Sequence, residues 1–179
     1  MQHIFSKILL LLSIILGVIA VTTPNWQGGG YTVGSNLNSS TNQGLFKFCT
    51  SDNINIKNQK ESSYTCQSFT PNMAGYKYRK SCAVLAIGSI VLLMISLICD
   101  FVPQNNFKQC HTVSLISFSV GVILMIACIS LYGDKIFAGR QQSSGILNTK
   151  YGYEYSFYLA ISSLLLAITS RLAGIIIKG

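Results

Sequence analysis

The chain has 179 residues, half of them hydrophobic and only 10% charged, well below the roughly 25% usual in soluble domains. Its formal charge of +8 comes from 13 Lys and Arg. These are spread thinly over loops with no arginine-rich run or interleaved aromatic pattern, which excludes a nucleic-acid-binding protein.

Four apolar blocks, Ile4–Val21, Ser81–Cys99, Thr112–Tyr132 and Tyr155–Ile177, are each about as long as the ~20 residues needed to cross a bilayer. None has an ionisable residue near its middle. They predict an all-α transmembrane fold, one four-helix domain over 1–179, with helices at about 4–22, 80–100, 111–133 and 154–177. The first block competes with a signal peptide, because Val18-Ile19-Ala20 offers a small-residue cleavage site; its apolar run is longer than the ~7–15 residues of such a core.

The first loop, about 23–79, is the long one. Tyr31–Val33, Leu45–Thr50 and Ser63–Phe69 are aromatic and β-branched between Gly, Asn and Ser, and read as short strands of a small antiparallel sheet. Ser51–Glu61 reads as a polar flexible turn. Trp26, just past the first helix, is alone an interfacial anchor. The connection Asp100–His111, with Pro103, suits adjacent antiparallel helices. The second loop covers about 134–153, and Tyr151, Tyr153, Tyr155 and Tyr158 form an aromatic belt at its end.

Each helix carries small residues at 3-4 spacing: Ser6, Ser13, Gly17 and Ala20; Cys82, Ala86, Ser89 and Ser96; Ser114, Ser117, Gly121 and Cys128; and, most regularly, Ser156, Ala160, Ser163, Ala167, Ser170 and Gly174. Lipid provides no hydrophobic push between helices, so close approach of small residues supplies the packing. A spacing near 3.5 implies a left-handed bundle.

The cysteines divide into two groups. Cys49 and Cys66 lie in the polar loop and are expected to form a disulfide stapling two strands, with free thiols as the alternative. Cys82, Cys99, Cys110 and Cys128 lie in or beside helices; Cys99 and Cys110 flank the short turn and are palmitoylation candidates or small packing residues. A zinc site needs about four ligands, and the two histidines, His3 and His111, are not in the loop. The acidic residues Asp52, Glu61, Asp100, Asp134 and Glu154 are scattered, with no carboxylate or histidine mid-membrane for an ion or proton path. Arg171, about 24 Å along the last helix from Tyr155, is placed to snorkel to the interface. The expectation is a non-enzyme without cofactor or metal.

Taken together, Trp26, then Gly44-Leu45-Phe46, then Cys49 and Cys66, with Arg79 before the second helix, resemble the signature of the claudin superfamily. That superfamily includes the peripheral myelin protein 22 group, calcium-channel gamma-type subunits and invertebrate claudin-like proteins. Tyr155–Ala160 is similar to the start of the fourth helix in nematode members. The resemblance covers the whole four-helix layout. Phe46 stands where the family usually has Trp, the cysteines are more widely spaced than in vertebrate claudins, and Ile175–Gly179 shows no scaffold-docking motif of the strand-adding kind. Tetraspanins differ, because their large loop is the second and carries Cys-Cys-Gly.

Orientation is argued from three features, although Lys77, Arg79, Lys80, Lys135, Arg140 and Lys150 then fall outside, against the positive-inside tendency. Lys7 flanks the first helix on one side with no charge on the other until Lys47; the paired cysteines suit an oxidising side; and Asn38-Ser39-Ser40 is a glycosylation sequon. Both termini are expected in the cytosol of a plasma-membrane protein. The resemblance implies a structural role in cell–cell contact or a paracellular barrier. If such contacts line a paracellular pore, Lys47, Lys57, Lys60, Lys77, Arg79 and Lys80 outnumber Asp52 and Glu61 in the loop, a charge that favours anions. The alternative is an auxiliary subunit of a channel or receptor. The partners are then the bilayer and other membrane proteins, including further copies of the chain.

Overall fold

Inside a bilayer every backbone N–H and C=O must be satisfied within the chain, so long apolar runs become helices. The computed structural model describes residues 2–33, 37–56, 59–71, 76–102, 108–142 and 150–176. In chain order these form α1 (Gln2–Thr22), β1 (Gln27–Val33), β2 (Leu37–Gln43), β3 (Lys47–Ile56), β4 (Gln59–Ser68), α2 (Tyr76–Phe101), α3 (Lys108–Gln142), β5 (Lys150–Tyr153) and α4 (Tyr155–Ile176). All four helices are long and apolar enough to cross a membrane. Pro103, Lys57 and the last three residues fall outside the described residues.

α1 packs mainly along α4 and α2 along α3, with sparser contact between α1 and α2 and between α3 and α4. Both tight pairs are antiparallel ladders with a rung every seven residues, two helical turns. Between α2 and α3 the rungs are Cys82 with Cys128, Ser89 with Gly121, and Ser96 with Ser114. Ser89 Oγ donates to the Gly121 carbonyl at 2.8 Å, and the Oγ atoms of Ser96 and Ser114 are 3.2 Å apart. Between α1 and α4, Ser13 and Ser163 each donate to the other's carbonyl at 2.7 Å. Ser6 and Ser170 do the same at 2.7 and 2.9 Å. The hydroxyls that let the backbones approach also bond across the gap. The Ser89 carbonyl oxygen and the side chain of Leu93 leave a Cβ on Gly121 only 3.2–3.3 Å of room.

The helix limits depart from the hydropathy at two places. α2 begins at Tyr76, because the polar first turn Tyr76–Lys80 continues the helix out of the apolar slab. α3 runs 35 residues, about 52 Å, so it continues well past the ~30 Å hydrocarbon core. Much of the stretch 134–153 is therefore helix, and not loop.

At the end where α1 stops and α2 starts sits one antiparallel sheet of order β4-β3-β2-β1-β5. Of the stretch Ser51–Glu61, read as a flexible turn, residues 51–56 and 59–61 are ladder, with Asp52 opposite Ser63 and Ile56 opposite Gln59; residues 57 and 58 lie outside the described residues. β2 (Leu-Asn-Ser-Ser-Thr-Asn-Gln) has poor strand propensity and is held by backbone pairing to β1 and β3 on its two sides. β5 joins from far along the chain, with Gln27 opposite Tyr153.

Replacing Gly121 by Val is expected to lower stability by about 1–3 kcal/mol through overpacking. Removing only the hydroxyl, as Ser89→Ala, should cost about 0.6 kcal/mol. Thermal unfolding of the two variants in one detergent checks the ordering.

Candidate recognition surface

The sheet is mounted on the bundle through Trp26. α1 ends where Thr23 Oγ1 bonds back to the Ile19 carbonyl at 2.8 Å and Pro24 follows, a residue that cannot continue the helix hydrogen-bonding pattern. The chain turns, and Trp26 Nε1 donates at 2.5 Å, alongside Thr23 Oγ1 at 3.2 Å, to the Ala20 carbonyl, which has no backbone donor at the helix end because Pro24 follows. The backbone of Trp26 joins three elements: its N–H donates to the Gln43 carbonyl at 3.1 Å and its carbonyl accepts from Glu154 N–H at 3.2 Å. Ser156 N–H, in the first turn of α4, donates to the Asn25 carbonyl at 3.1 Å. The ring is fully buried, edge-on to Tyr132 at 5.0 Å and Phe157 at 6.0 Å. It is a core residue of the junction, and the interfacial-anchor reading is corrected. The tyrosine belt is corrected in part. Tyr153 stacks on Phe157 at 4.5 Å and donates to the Gly133 carbonyl at 3.3 Å; Tyr155 and Tyr158 are exposed, and the Tyr151 side chain lies outside the described residues.

Gly44-Leu45-Phe46 makes the tight link between β2 and β3. A Cβ on Gly44 would lie 2.6 Å from Pro24 Cα and 2.8 Å from the Thr23 carbonyl oxygen, so only glycine lets this turn close on the end of α1. Leu45 is buried and Phe46 is 43% exposed. The backbone of Phe46 accepts from Phe69 N–H at 3.2 Å.

Arg79 is a strut, and counting it among the loop charges is corrected. It is buried at the top of α2. Nη1 donates to the Gly44 carbonyl at 3.0 Å and lies 3.5 Å from Tyr132 Oη, while Nη2 donates to Gln43 Oε1. The guanidinium lies over the rings of Phe69 at 4.5 Å and Tyr78 at 5.2 Å. Tyr132 Oη completes the set by donating to the Gln43 carbonyl at 3.3 Å. A buried cation is thus held by carbonyl dipoles and aromatic faces; among the described residues no carboxylate pairs with it.

Cys49 and Cys66 stand directly opposite in β3 and β4 and are bridged. The 17-residue separation corresponds to about 3 kcal/mol of lost denatured-chain freedom. Cys49 is buried, whereas Ser62–Ser68 of the outermost strand β4 are exposed, Tyr64 to 63%. Asn38 lies in β2 opposite Thr32 and Asn53. Its side chain is outside the described residues; of the rest of the sequon, Ser39 is buried and donates to Asp52 Oδ1 at 2.5 Å, and Ser40 is exposed.

Along the helices the structure buries Ser156, Ala160, Ser163, Ala167 and Ser170, and half-buries Gly174 with Ser6 Oγ 3.3 Å from its Cβ position. Cys99 and Cys110 are half-buried at the end opposite the sheet. Arg171, at that same end, does not snorkel. It pairs with Asp100 at 2.9 Å and donates to Ser96 and Ser114 Oγ at 2.5 Å each, with Phe118 under its guanidinium at 4.9 Å. Ser114 Oγ donates to Asp100 Oδ1 at 2.6 Å. α2, α3 and α4 are therefore tied by one polar cluster. A helix-end arginine suits either fate, and Asp100 in the facing helix was the available signal. Among the described residues no three His, Cys, Asp or Glu side chains converge as metal ligands.

A model of the PMP-22/EMP/MP20/Claudin family matches residues 1–177. A comparison with curated proteins gave no match.

Arg79→Lys keeps the charge but loses the planar fork that reaches Gln43 and Gly44. It is expected to cost about 1.5–3 kcal/mol, the range for hydrogen bonds to a charged group, read as a lower thermal midpoint. Asp100→Asn should cost about 3 kcal/mol by leaving Arg171 unpaired. Combining it with Arg171→Gln should recover part of that loss, a coupling measured by a double-mutant cycle.

Proposed function

We propose that this chain, which belongs to the PMP-22/EMP/MP20/Claudin family, is a non-enzymatic structural protein of cell–cell contacts in the plasma membrane. The four-helix membrane domain holds the sheet outside the cell, where it meets neighbouring molecules. The observation that carries this reading is the contrast within the sheet. Its base is fixed by Trp26, Gly44 and Arg79, while the outermost strand presents Ser62–Ser68 to solvent. An outermost strand also presents backbone N–H and C=O groups that a neighbour can pair with.

The Cys49–Cys66 bridge, which belongs on an oxidising side, supports a reading with both termini in the cytosol. Asn38 is then a glycan acceptor, and Cys99 and Cys110 face the compartment where palmitate is attached. If contacts line a paracellular path, Lys47, Lys77 and Lys80, all exposed, supply positive charge and favour anions, whereas Arg79 is committed to the mount.

A second reading, an auxiliary subunit, is favoured by the sparse contact between α3 and α4. A helix pair in sparse contact is where another protein's segment would pack, by the same small-residue rules.

The test expresses the tagged full chain in cells that form no junctional strands of their own. Concentration at borders shared by two expressing cells, absent where only one expresses, supports the contact reading. Uniform membrane staining with stoichiometric recovery of a channel in mild detergent refutes it and supports the auxiliary one.

A further inference from the structure

The α2–α3 ladder ends, toward the sheet, in two thiols. Cys82 and Cys128 are both fully buried, and each sulfur reaches across to the other's backbone: Cys128 Sγ is 3.3 Å from the Cys82 carbonyl oxygen and Cys82 Sγ is 3.9 Å from that of Cys128. Reciprocal contacts of this kind place the two side chains face to face on the closely approached backbones. The same register brings the Oγ atoms of Ser96 and Ser114, two rungs further on, to 3.2 Å. A disulfide needs side chains that converge from closely approached backbones, and here each sulfur lies within 4 Å of the other residue's backbone.

We propose that Cys82 and Cys128 are a redox-modification site, a dithiol that closes to a second, interhelical disulfide with hydrogen peroxide as oxidant. The oxidant is small and neutral, as entry to a buried rung requires. One sulfur, as thiolate, attacks a peroxide oxygen and the O–O bond breaks, giving a sulfenic acid and, after protonation, water. The second thiol displaces the hydroxyl of the sulfenic acid, its proton leaving in a second water, and the S–S bond forms. Two thiols are oxidised by two electrons and one peroxide is reduced to two waters. The bridge lies three residues from Arg79 and four, one helical turn, from Tyr132. Closing it fixes together the ends of the two helices that carry the sheet's mount.

The experiment uses the full chain carrying Cys99→Ser and Cys110→Ser, purified in detergent, so that only the two ladder thiols are free. After peroxide and removal of the excess, thiols are counted on the denatured chain and peptides are mapped by mass spectrometry without reduction. The expected result is a fall from two thiols to none, in a monomer, with Cys82 and Cys128 peptides joined at a mass two hydrogens lower, reversed by dithiothreitol. The same linked peptide is expected from the chain with all its cysteines. Adding Cys82→Ser should abolish the link, and the oxidised parent should unfold at a higher temperature than this variant under identical treatment. Two thiols that persist, sulfinic acids at either position, or bridges joining two chains overturn the proposal.

Discussion

The last turn of a helix leaves carbonyls without donors, and in a bilayer protein that turn lies close to hydrocarbon, where an unsatisfied carbonyl is costly. At the end of α1 the Thr22 and Thr23 hydroxyls meet part of this need, and Trp26 meets it at Ala20 while tying the sheet to the helix. Its indole N–H is a donor only, and it reaches back six residues to the Ala20 carbonyl, while the apolar body of the ring fills the space against Tyr132 and Phe157. No other side chain combines so large an apolar surface with a single donor. Because the ring is fixed by the helix end, the backbone of Trp26 is fixed too, and it orients the ends of β2 and β5 and, through its neighbour Asn25, the start of α4. Gly44 and Arg79 complete the junction from the other side, one by having no side chain and the other by filling the gap with a guanidinium.

Much of this was legible before any coordinates. Small residues in membrane helices leave a seven-residue signature because lipid gives apolar side chains no reason to seek each other. The seams read from the sequence are the lines along which Ser13 meets Ser163 and Ser89 meets Gly121. What a seam does not reveal is its partner, since every helix has one; only the register pairs α1 with α4 and α2 with α3. The sheet was partly legible. β3 and β4 carry aromatic and β-branched residues, but the polar β2 and the short β5 exist because neighbours supply their hydrogen bonds, and local propensity is silent about that. The two arginines were misread for a common reason. A cation near a helix end looks solvated until the acceptors facing it are known, and for Arg79 these are 35 and 36 residues away in the chain.

The placement of those arginines gives the bundle its internal scale. Arg79 and Asp100, the partner of Arg171, lie 21 residues apart on α2, about 32 Å along the helix, close to the ~30 Å of a hydrocarbon core. The polar clusters thus fall at its two margins, where a charge costs less than at its centre. They are not equivalent. At the sheet end the cation is neutralised by dipoles and ring faces, which join the helices to a second structural layer. At the other end it is neutralised by a carboxylate and two hydroxyls, which join three helices to one another. Between them the paired helices meet through cysteine, serine, glycine and alanine, and Leu10, Ile14, Ile90, Leu93 and Met125 fill the rest of the core. An interior built this way holds its helices in one register, and it transmits that rigidity to the mount. The outer strand of the sheet is then held in a fixed attitude to the bundle, the condition that the proposed contact with a second molecule requires.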